Sequence, residues 1–278
     1  MSVVTTPDAL SILGCGWLGR AVARSWRGPV LATTRSGSWG EGEPPMHVTL
    51  AAFDATASDA LPDPIGPTVL IAYAPGLGGR RGAEAAARRT ALYVEGTRRI
   101  VAALPASTHV IFVGSTSALP DDDAWLDESC ATIPSSERGQ TQRAAEAAVL
   151  AHPGPAIVLR MGGLYGPGRE LDRIYRNRDP NTPRAGSGMA PTNLVHRDDA
   201  VAAVLAAAAR PEVRGIVHVV ADGHTPRRMM YAAIARREHL PGPQWSEPAS
   251  PLPRGKRASN LRLKLELGVR LRHPDPGA

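Results

Sequence analysis

The chain runs to 278 residues, 43% of them hydrophobic, with two cysteines and a mean hydropathy of −0.17. That is enough apolar material for one large domain, or for a cofactor domain with a smaller lobe, and it excludes a disulfide framework or a cysteine-held metal cluster. The net charge of +6 comes from scattered arginines, and aromatics are only 4%, so side chains for base stacking are scarce and no nucleic-acid partner is expected.

The first eight residues lack a basic stretch followed by an apolar core, and no segment is apolar for long enough to cross a bilayer. A cytoplasmic protein with no membrane partner is the expectation. The first unit is a short apolar strand, Leu10–Leu13, running into Gly14-Cys15-Gly16-Trp17-Leu18-Gly19 and a helix over Arg20–Trp26. Strand, glycine loop and helix in that order read as a phosphate cradle. Gly14 allows the tight turn, Gly16 removes a side chain that would block a pyrophosphate, and Gly19 lets the helix pack closely on the strand, while backbone N–H groups at the helix start face the anion. A dinucleotide is expected there, with Trp17 and Leu18 beside it. Cys15 reads as a small residue in this loop and not as a redox thiol.

Further strands are expected at Pro29–Thr34, Met46–Leu50, Thr68–Tyr73, His109–Val113, Ala156–Arg160, Asn193–His196 and Gly215–Val220. Helices are expected at Ala83–Leu104, Glu137–Ala151, Asp198–Ala209, Arg228–His239 and Leu261–Leu267. The strands are continuously apolar, which is how strands buried on both faces of a parallel sheet read, and their alternation with helices predicts a doubly wound α/β fold of Rossmann type. Residues 1–160 are expected to form the dinucleotide domain, with 193–220 returning to its sheet. Residues 161–192 and 221–278 would form a small substrate lobe beyond the carboxyl ends of the strands.

Three later motifs follow the glycine loop: Phe112-Val113-Gly114-Ser115-Thr116-Ser117, Arg160-Met161-Gly162-Gly163-Leu164-Tyr165-Gly166-Pro167-Gly168-Arg169, and Asn193-Leu194-Val195-His196-Arg197-Asp198-Asp199. In order and spacing the chain resembles the extended short-chain dehydrogenase/reductase superfamily, epimerase/dehydratase type, over nearly its whole length. With Gly255-Lys256-Arg257-Ala258-Ser259-Asn260 and Glu266-Leu267-Gly268, it is most similar to the atypical, YeeZ-like branch. The resemblance implies that Asp54 lies near the adenine, and that Ala72, Tyr73 and Ala74 line the ribose and pyrophosphate path. It also implies that Gly163 and Leu164 meet the nicotinamide end and that Ser115, with Thr116 beside it, orients the substrate.

In dinucleotide folds an acid about 20 residues beyond the first glycine accepts from the NAD ribose, whereas an arginine suits the NADP 2′-phosphate. Here the second strand ends in Thr33-Thr34-Arg35-Ser36 with no acid. NADP(H) is therefore expected over NAD(H), held by Thr34, Arg35 and Ser36; the alternative is that Arg35 is an exposed loop residue.

Active members of the resembled superfamily carry a Tyr-x-x-x-Lys pair that supplies a proton. Counting along the motif puts Arg138 at the tyrosine position and Gln142 at the lysine position. The only lysines in the chain are Lys256 and Lys264, and neither has a tyrosine four positions before it. Arginine stays protonated and glutamine does not titrate, so the usual relay is missing. Candidate donors are Tyr165, Tyr175, Tyr73, the pair Asp127-Glu128, His196, or water ordered by Ser115 and Thr116. Against them stand a packed Tyr165, capping or solvated acids, and a His196 bonded to the backbone.

Arg169, Arg173, Arg176, Arg178 and Arg184 crowd one loop, which suits an anionic substrate and equally a solvated surface. Asn193 and Tyr165 are further substrate candidates, while Asp198-Asp199 suit a helix cap. No metal site is expected. Together these features describe an NADP-dependent oxidoreductase acting on a small carbonyl- or imine-containing metabolite, as a monomer or homodimer. A non-redox lyase, isomerase or cyclase and a non-catalytic NADP-sensing protein are the alternatives.

Overall fold

The computed structural model describes residues 9–40, 42–57, 60–76, 81–176, 182–249, 252 and 254–277, with only the backbone of 174–176. Its strands are β1 (Leu10–Leu13), β2 (Val30–Thr34), β3 (Val48–Ala52), β4 (Thr68–Ile71), β5 (His109–Ser115), β6 (Trp125–Leu126), β7 (Ala156–Met161), β8 (Gly163–Tyr165), β9 (Leu194–His196), β10 (Gly215–Val219) and β11 (Arg257–Ala258). Seven of them form one parallel sheet in the order β10-β7-β5-β4-β1-β2-β3. The fold is a doubly wound α/β sheet of Rossmann type. Its strand order reverses between β1 and β4, and the crevice beyond their carboxyl ends is where such sheets seat ligands.

The residues explain the layering. Every residue of β1, β4 and β7 is buried, as expected of strands covered on both faces. On one face Ile12 and Leu159 pack with Val22 of α1 (Trp17–Ser25) and with Ala203 and Val204 of α6 (Arg197–Ala208). On the other, Val69 and Phe112 meet Ile100 and Val149, which lie on α3 (Thr97–Ala103) and α4 (Glu137–Leu150).

Four features differ from the expectation. The helix expected over Ala83–Leu104 is three segments: α2 (Gly82–Arg89), a π-helical stretch Thr90–Gly96, and α3. Gly96 permits the close approach there, since a Cβ would sit 2.5 Å from the Ala55 carbonyl oxygen. A short helix α5 (Leu171–Arg176) interrupts the segment read as loop. Of residues 193–220, only β10 joins the central sheet, because β9 pairs with β8 in a ladder of its own. Finally, β6 pairs with β11, Trp125 opposite Arg257 and Leu126 opposite Ala258, which ties the late segment to the loop after β5. Two-residue strands carry too little periodicity to be read from sequence. The late helices are α7 (Arg227–Arg237) and α8 (Leu261–Leu265). No helix among the described residues is long and apolar enough to cross a membrane.

Candidate functional site

A cavity of about 790 Å³ opens at the carboxyl ends of β1, β4 and β5. Its floor is the glycine loop. Gly14 has a φ of +90°, and a Cβ there would meet the Tyr73 backbone at 2.5 Å, so only glycine fits. Thr33 holds the loop from below: its Oγ1 accepts from the Gly14 N–H at 3.1 Å, and its carbonyl accepts from the Cys15 N–H at 2.6 Å. A Cβ on Gly16 would meet nothing within 4 Å, which leaves open space at the N-terminus of α1. Gly19 packs against the Gly14 carbonyl and Ile12. Cys15 is buried and its thiol is pushed up to about 12 by that burial, the condition of an inert thiol.

At one end of the cavity stand Thr34, Arg35 and Asp54, with Ser36 in the shallow extension beside them. Asp54 Oδ1 accepts from the Thr56 N–H at 2.9 Å and hydroxyl at 2.7 Å. These bonds, then the cations Arg35 and Arg88, hold its carboxyl below the usual range. Ala72, Tyr73 and Ala74 line the middle. The Tyr73 hydroxyl bonds Thr97 Oγ1, and burial raises its pKa, so this tyrosine is not a ready proton donor.

The far end gathers Ser115, Thr116, Arg138, Gln142, Gly163, Leu164 and Arg169. Ser115 Oγ accepts from the Ser117 N–H and hydroxyl at 3.2 and 3.1 Å, which leaves its own proton available to the cavity. Ser136 caps α4 by accepting from the Gly139 N–H at 3.2 Å. Gly139 lets α4 press onto the turn after β5, since a Cβ would sit 2.6 Å from the Ser117 carbonyl. Four residues apart on one helix face, Arg138 and Gln142 both reach the cavity. Gln142 is 4% exposed, and its Oε1 has no hydrogen-bond partner among the described residues. An orphaned buried acceptor at the cavity wall fits a donor such as a ribose hydroxyl. With the Gly14 cradle and the open space at Gly16, it makes this wall fit a dinucleotide.

A model of the NAD dependent epimerase/dehydratase family matches residues 11–221. The chain belongs to this family. It is 26% identical to Protein YeeZ of Escherichia coli (strain K12) over 281 residues, 96% of this chain and 97% of that one. It is also 30% identical to the 3-diazoavenalumate denitrifying reductase of Streptomyces sp over 219 residues, 69% of this chain and 70% of that one. The solved UDP-glucuronic acid 4-epimerase of Bacillus cereus, in complex with NAD, shares the fold at a TM-score of 0.75 and 13% identity, over 95% and 94% of the two chains.

Within this family member, several candidate residues have other work. Asn193 does not line the cavity; its Nδ2 donates to the Lys256 carbonyl at 3.0 Å and its Oδ1 accepts from the Ala258 N–H at 2.7 Å. The expected substrate contact is thus a clamp on the late segment. Tyr165 packs edge-on against the His196 ring at 5.1 Å and is pushed up to about 12, chiefly by burial. His196 is the N-cap of α6, its Nδ1 accepting from the Asp198 N–H at 3.2 Å. Asp199 therefore does not cap that helix and instead accepts from the Arg272 and His273 N–H groups at 2.7 and 3.0 Å. Asp127 binds Ser129, and Glu128 accepts from the His218 N–H at 2.8 Å. The side chains of Tyr175 and Arg176, and all of Arg178, lie outside the described residues.

The arginine-rich loop divides similarly. Arg169 lies over the Trp17 ring at 4.6 Å and reaches the cavity. Arg173 donates to the Gly168 carbonyl at 2.9 Å, and Arg184 lies over Tyr231 at 4.3 Å. Trp17 Nε1 donates to the Pro167 carbonyl at 3.0 Å, joining the glycine loop to this segment. His196, Asp198 and His273 bring ligand-type atoms within 4.8 Å of one another. However, the imidazoles stack at 3.7 Å and His196 Nδ1 already accepts a hydrogen bond, an arrangement that does not aim lone pairs at a shared point.

Sequence reasoning missed Tyr93, Arg88, Arg89 and Lys256 on the cavity wall. Tyr93 sits inside the π-helical stretch, which changes the side-chain register of a helix that reads as uniform. Lys256 reaches the cavity from the late segment, bonded to the Leu119 carbonyl at 3.0 Å and paired with Asp121 at 2.8 Å. A motif 255–260 was the only signal, and it indicates kinship without a role.

Proposed function

We propose that this chain is an NADP-dependent reductase of a small carbonyl- or imine-containing metabolite, working in the cytoplasm, with residues 161–192 and 221–278 closing over the dinucleotide. The observation that carries the reading is one continuous cavity from Arg35 and the glycine loop to Ser115 and Gln142. Arg35 is exposed and has no hydrogen-bond or ion-pair partner among the described residues, so its guanidinium fork is free for a 2′-phosphate. Thr34 and Ser36 flank it with hydroxyls. The N–H groups at the start of α1 would take the pyrophosphate, and the Gln142 amide the nicotinamide ribose. Bound there, the dinucleotide supplies a hydride at its nicotinamide ring. Ser115, with its free O–H, would orient the substrate oxygen, and Arg169 would favour an anionic substrate. The reductase name of the Streptomyces relative supports the reductase part of the reading, and the NAD in the Bacillus cereus epimerase structure supports a nicotinamide dinucleotide without favouring NADP.

Titration of the purified protein tests it. NADPH should bind at least about tenfold more tightly than NADH, and Arg35→Ala should weaken NADPH by about 10- to 100-fold, the worth of a charge-assisted bond, while leaving NADH unchanged. Equal affinities would sink the NADP reading. A metabolite-extract screen with NADPH, followed by absorbance and mass, tests the reaction. Substrate-dependent loss of NADPH is expected, whereas turnover without cofactor consumption would point to a lyase, isomerase or cyclase.

A further inference from the structure

The dehydratase-type cavity contains a phenol that no motif assigns. Among the tyrosines whose side chains are described, Tyr73 and Tyr93 line the cavity, and the Tyr73 hydroxyl is committed to Thr97. Tyr165 is packed on His196 and Tyr231 is stacked with Trp245 in the late lobe. Tyr93 is partly buried, and its hydroxyl has no hydrogen-bond partner among the described residues. It stands at the centre of the π-helical stretch Thr90–Gly96. Such insertions shift the side-chain register of a helix and recur at functional sites. Here the stretch puts a tyrosine on the lining of the cavity that Ser115, Arg138 and Gln142 also line, its ring 6.0 Å from that of Tyr73.

Arg138 is the complement of that phenol. Helix α4 packs against the π-helical stretch, and the ion pair between Arg89 Nη2 and Glu137 Oε2, at 2.5 Å, fastens the first residue of α4 to the end of α2. The neighbouring Arg138 has no hydrogen-bond or ion-pair partner among the described residues, so its charge is uncommitted. The charged groups acting on Tyr93 are Arg138 and Arg89; burial pushes the phenol up, and these two cations oppose it. Arginine cannot donate the proton, but a permanent cation near a phenol does what the lysine of a Tyr-x-x-x-Lys pair does electrostatically.

We propose that Tyr93 is the proton donor of the reductive step and that Arg138 holds the phenolate it leaves, a donor pair split between two elements. The proposal rests on the reductase reading above. The substrate carbonyl carbon receives a hydride from the reduced nicotinamide dinucleotide, and the C=O π pair moves onto oxygen. That oxygen takes the Tyr93 proton, forming the alcohol O–H; the Tyr93 O–H bond breaks with its electrons left on the phenolate, and water returns a proton to it. Ser115 donates a hydrogen bond to the same oxygen, and no further reductant is needed.

The test uses the full chain with its tyrosines carrying 13C at Cζ, read by NMR against pH, with Tyr93→Phe assigning the resonance. Without dinucleotide, Arg138→Gln should raise the Tyr93 midpoint by at least about half a pH unit. Arg143→Gln, whose guanidinium bonds the Ala131 carbonyl, should leave it in place. Adding NADP+ to saturation should move the Tyr93 resonance. With a substrate returned by the extract screen, Tyr93→Phe should lower kcat by about 100-fold or more and leave the NADPH Kd within about threefold. An unmoved midpoint in Arg138→Gln, an unmoved resonance when fluorescence reports bound NADP+, or a Tyr93→Phe variant keeping a tenth of kcat overturns the proposal. Failure of NADP+ to bind at all would instead overturn the reading of the site, and the titration in the free protein would still decide the Tyr93–Arg138 pairing.

Discussion

The glycine-loop wall and the α4 wall face the same cavity, but the first is built from backbone and the second from side chains. Gly14 is hemmed in by the Tyr73 backbone and bonded from below by Thr33, so almost any substitution there changes the chain path itself. Arg138 and Gln142 project from a helix whose position is set elsewhere, by the Ser136 cap, the close contact at Gly139 and the buried Glu146–Arg160 pair. Their side chains can be exchanged without disturbing that frame. The cradle can therefore stay as it is while the side chains that α4 presents to the cavity are exchanged.

The largest effect is expected at the frame of α4. Arg160 is 0% exposed and donates to both Glu146 oxygens at 2.8 and 2.7 Å. Removing the partner leaves a buried unpaired charge, so Glu146→Ala should cost about 3–5 kcal/mol in urea unfolding. A cost below about 1 kcal/mol would mean that α4 is not held as described.

Next in size is an effect of pH beside that pair. Burial, then Arg160, pushes the fully buried His218 down to about 4 from 6.5. Between those values the unfolded chain binds the proton and the folded one does not. Stability is thus fully present above pH 6.5 and falls as pH drops toward 4, by on the order of 3 kcal/mol from this group. Glu128, raised by burial, opposes part of the loss. His218→Gln should flatten the profile of Tm between pH 7 and 5; an unchanged slope would assign the acid sensitivity to other groups.

The cradle itself separates two kinds of glycine. Gly14→Ala meets both the left-handed backbone and the Tyr73 contact and should lose more than about 2 kcal/mol of stability without any ligand. Gly16→Ala adds a Cβ into open space and should leave Tm unchanged while weakening NADPH. Equal losses of Tm from both would erase the distinction between a structural and a ligand-facing glycine. Smallest is Asn193→Ala, which frees the Ala258 N–H and the Lys256 carbonyl and should cost about 1–2 kcal/mol. An effect on substrate KM with unchanged stability would return Asn193 to the site.

What was legible follows the same division. Buried strands and the glycine loop announce themselves through continuous apolar runs and the steric demands of the turn, so the sheet and the cradle could be read from residues alone. Tyr93 was invisible because a π-helical register leaves no periodic trace in seven residues. Asn193 and Asp199 looked like site and cap groups, and each bonds backbone carbonyls or N–H groups that only the folded chain brings near, while Arg173, read as a substrate group, bonds the nearby Gly168 carbonyl at the surface. The type of a polar residue limits what it can bond but does not select the partner.

The β6–β11 ladder also sets a timetable. Residues some 132 positions apart meet there, as the Gly255–Asp123 hydrogen bond does, and the strand β11 carries Lys256 beside it. At about 5–20 residues per second of synthesis, the loop after β5 waits on the order of ten seconds on the ribosome for its partner strand. Until then the cavity lacks only the cation of Lys256, since its other lining residues lie within 14–169 of the chain.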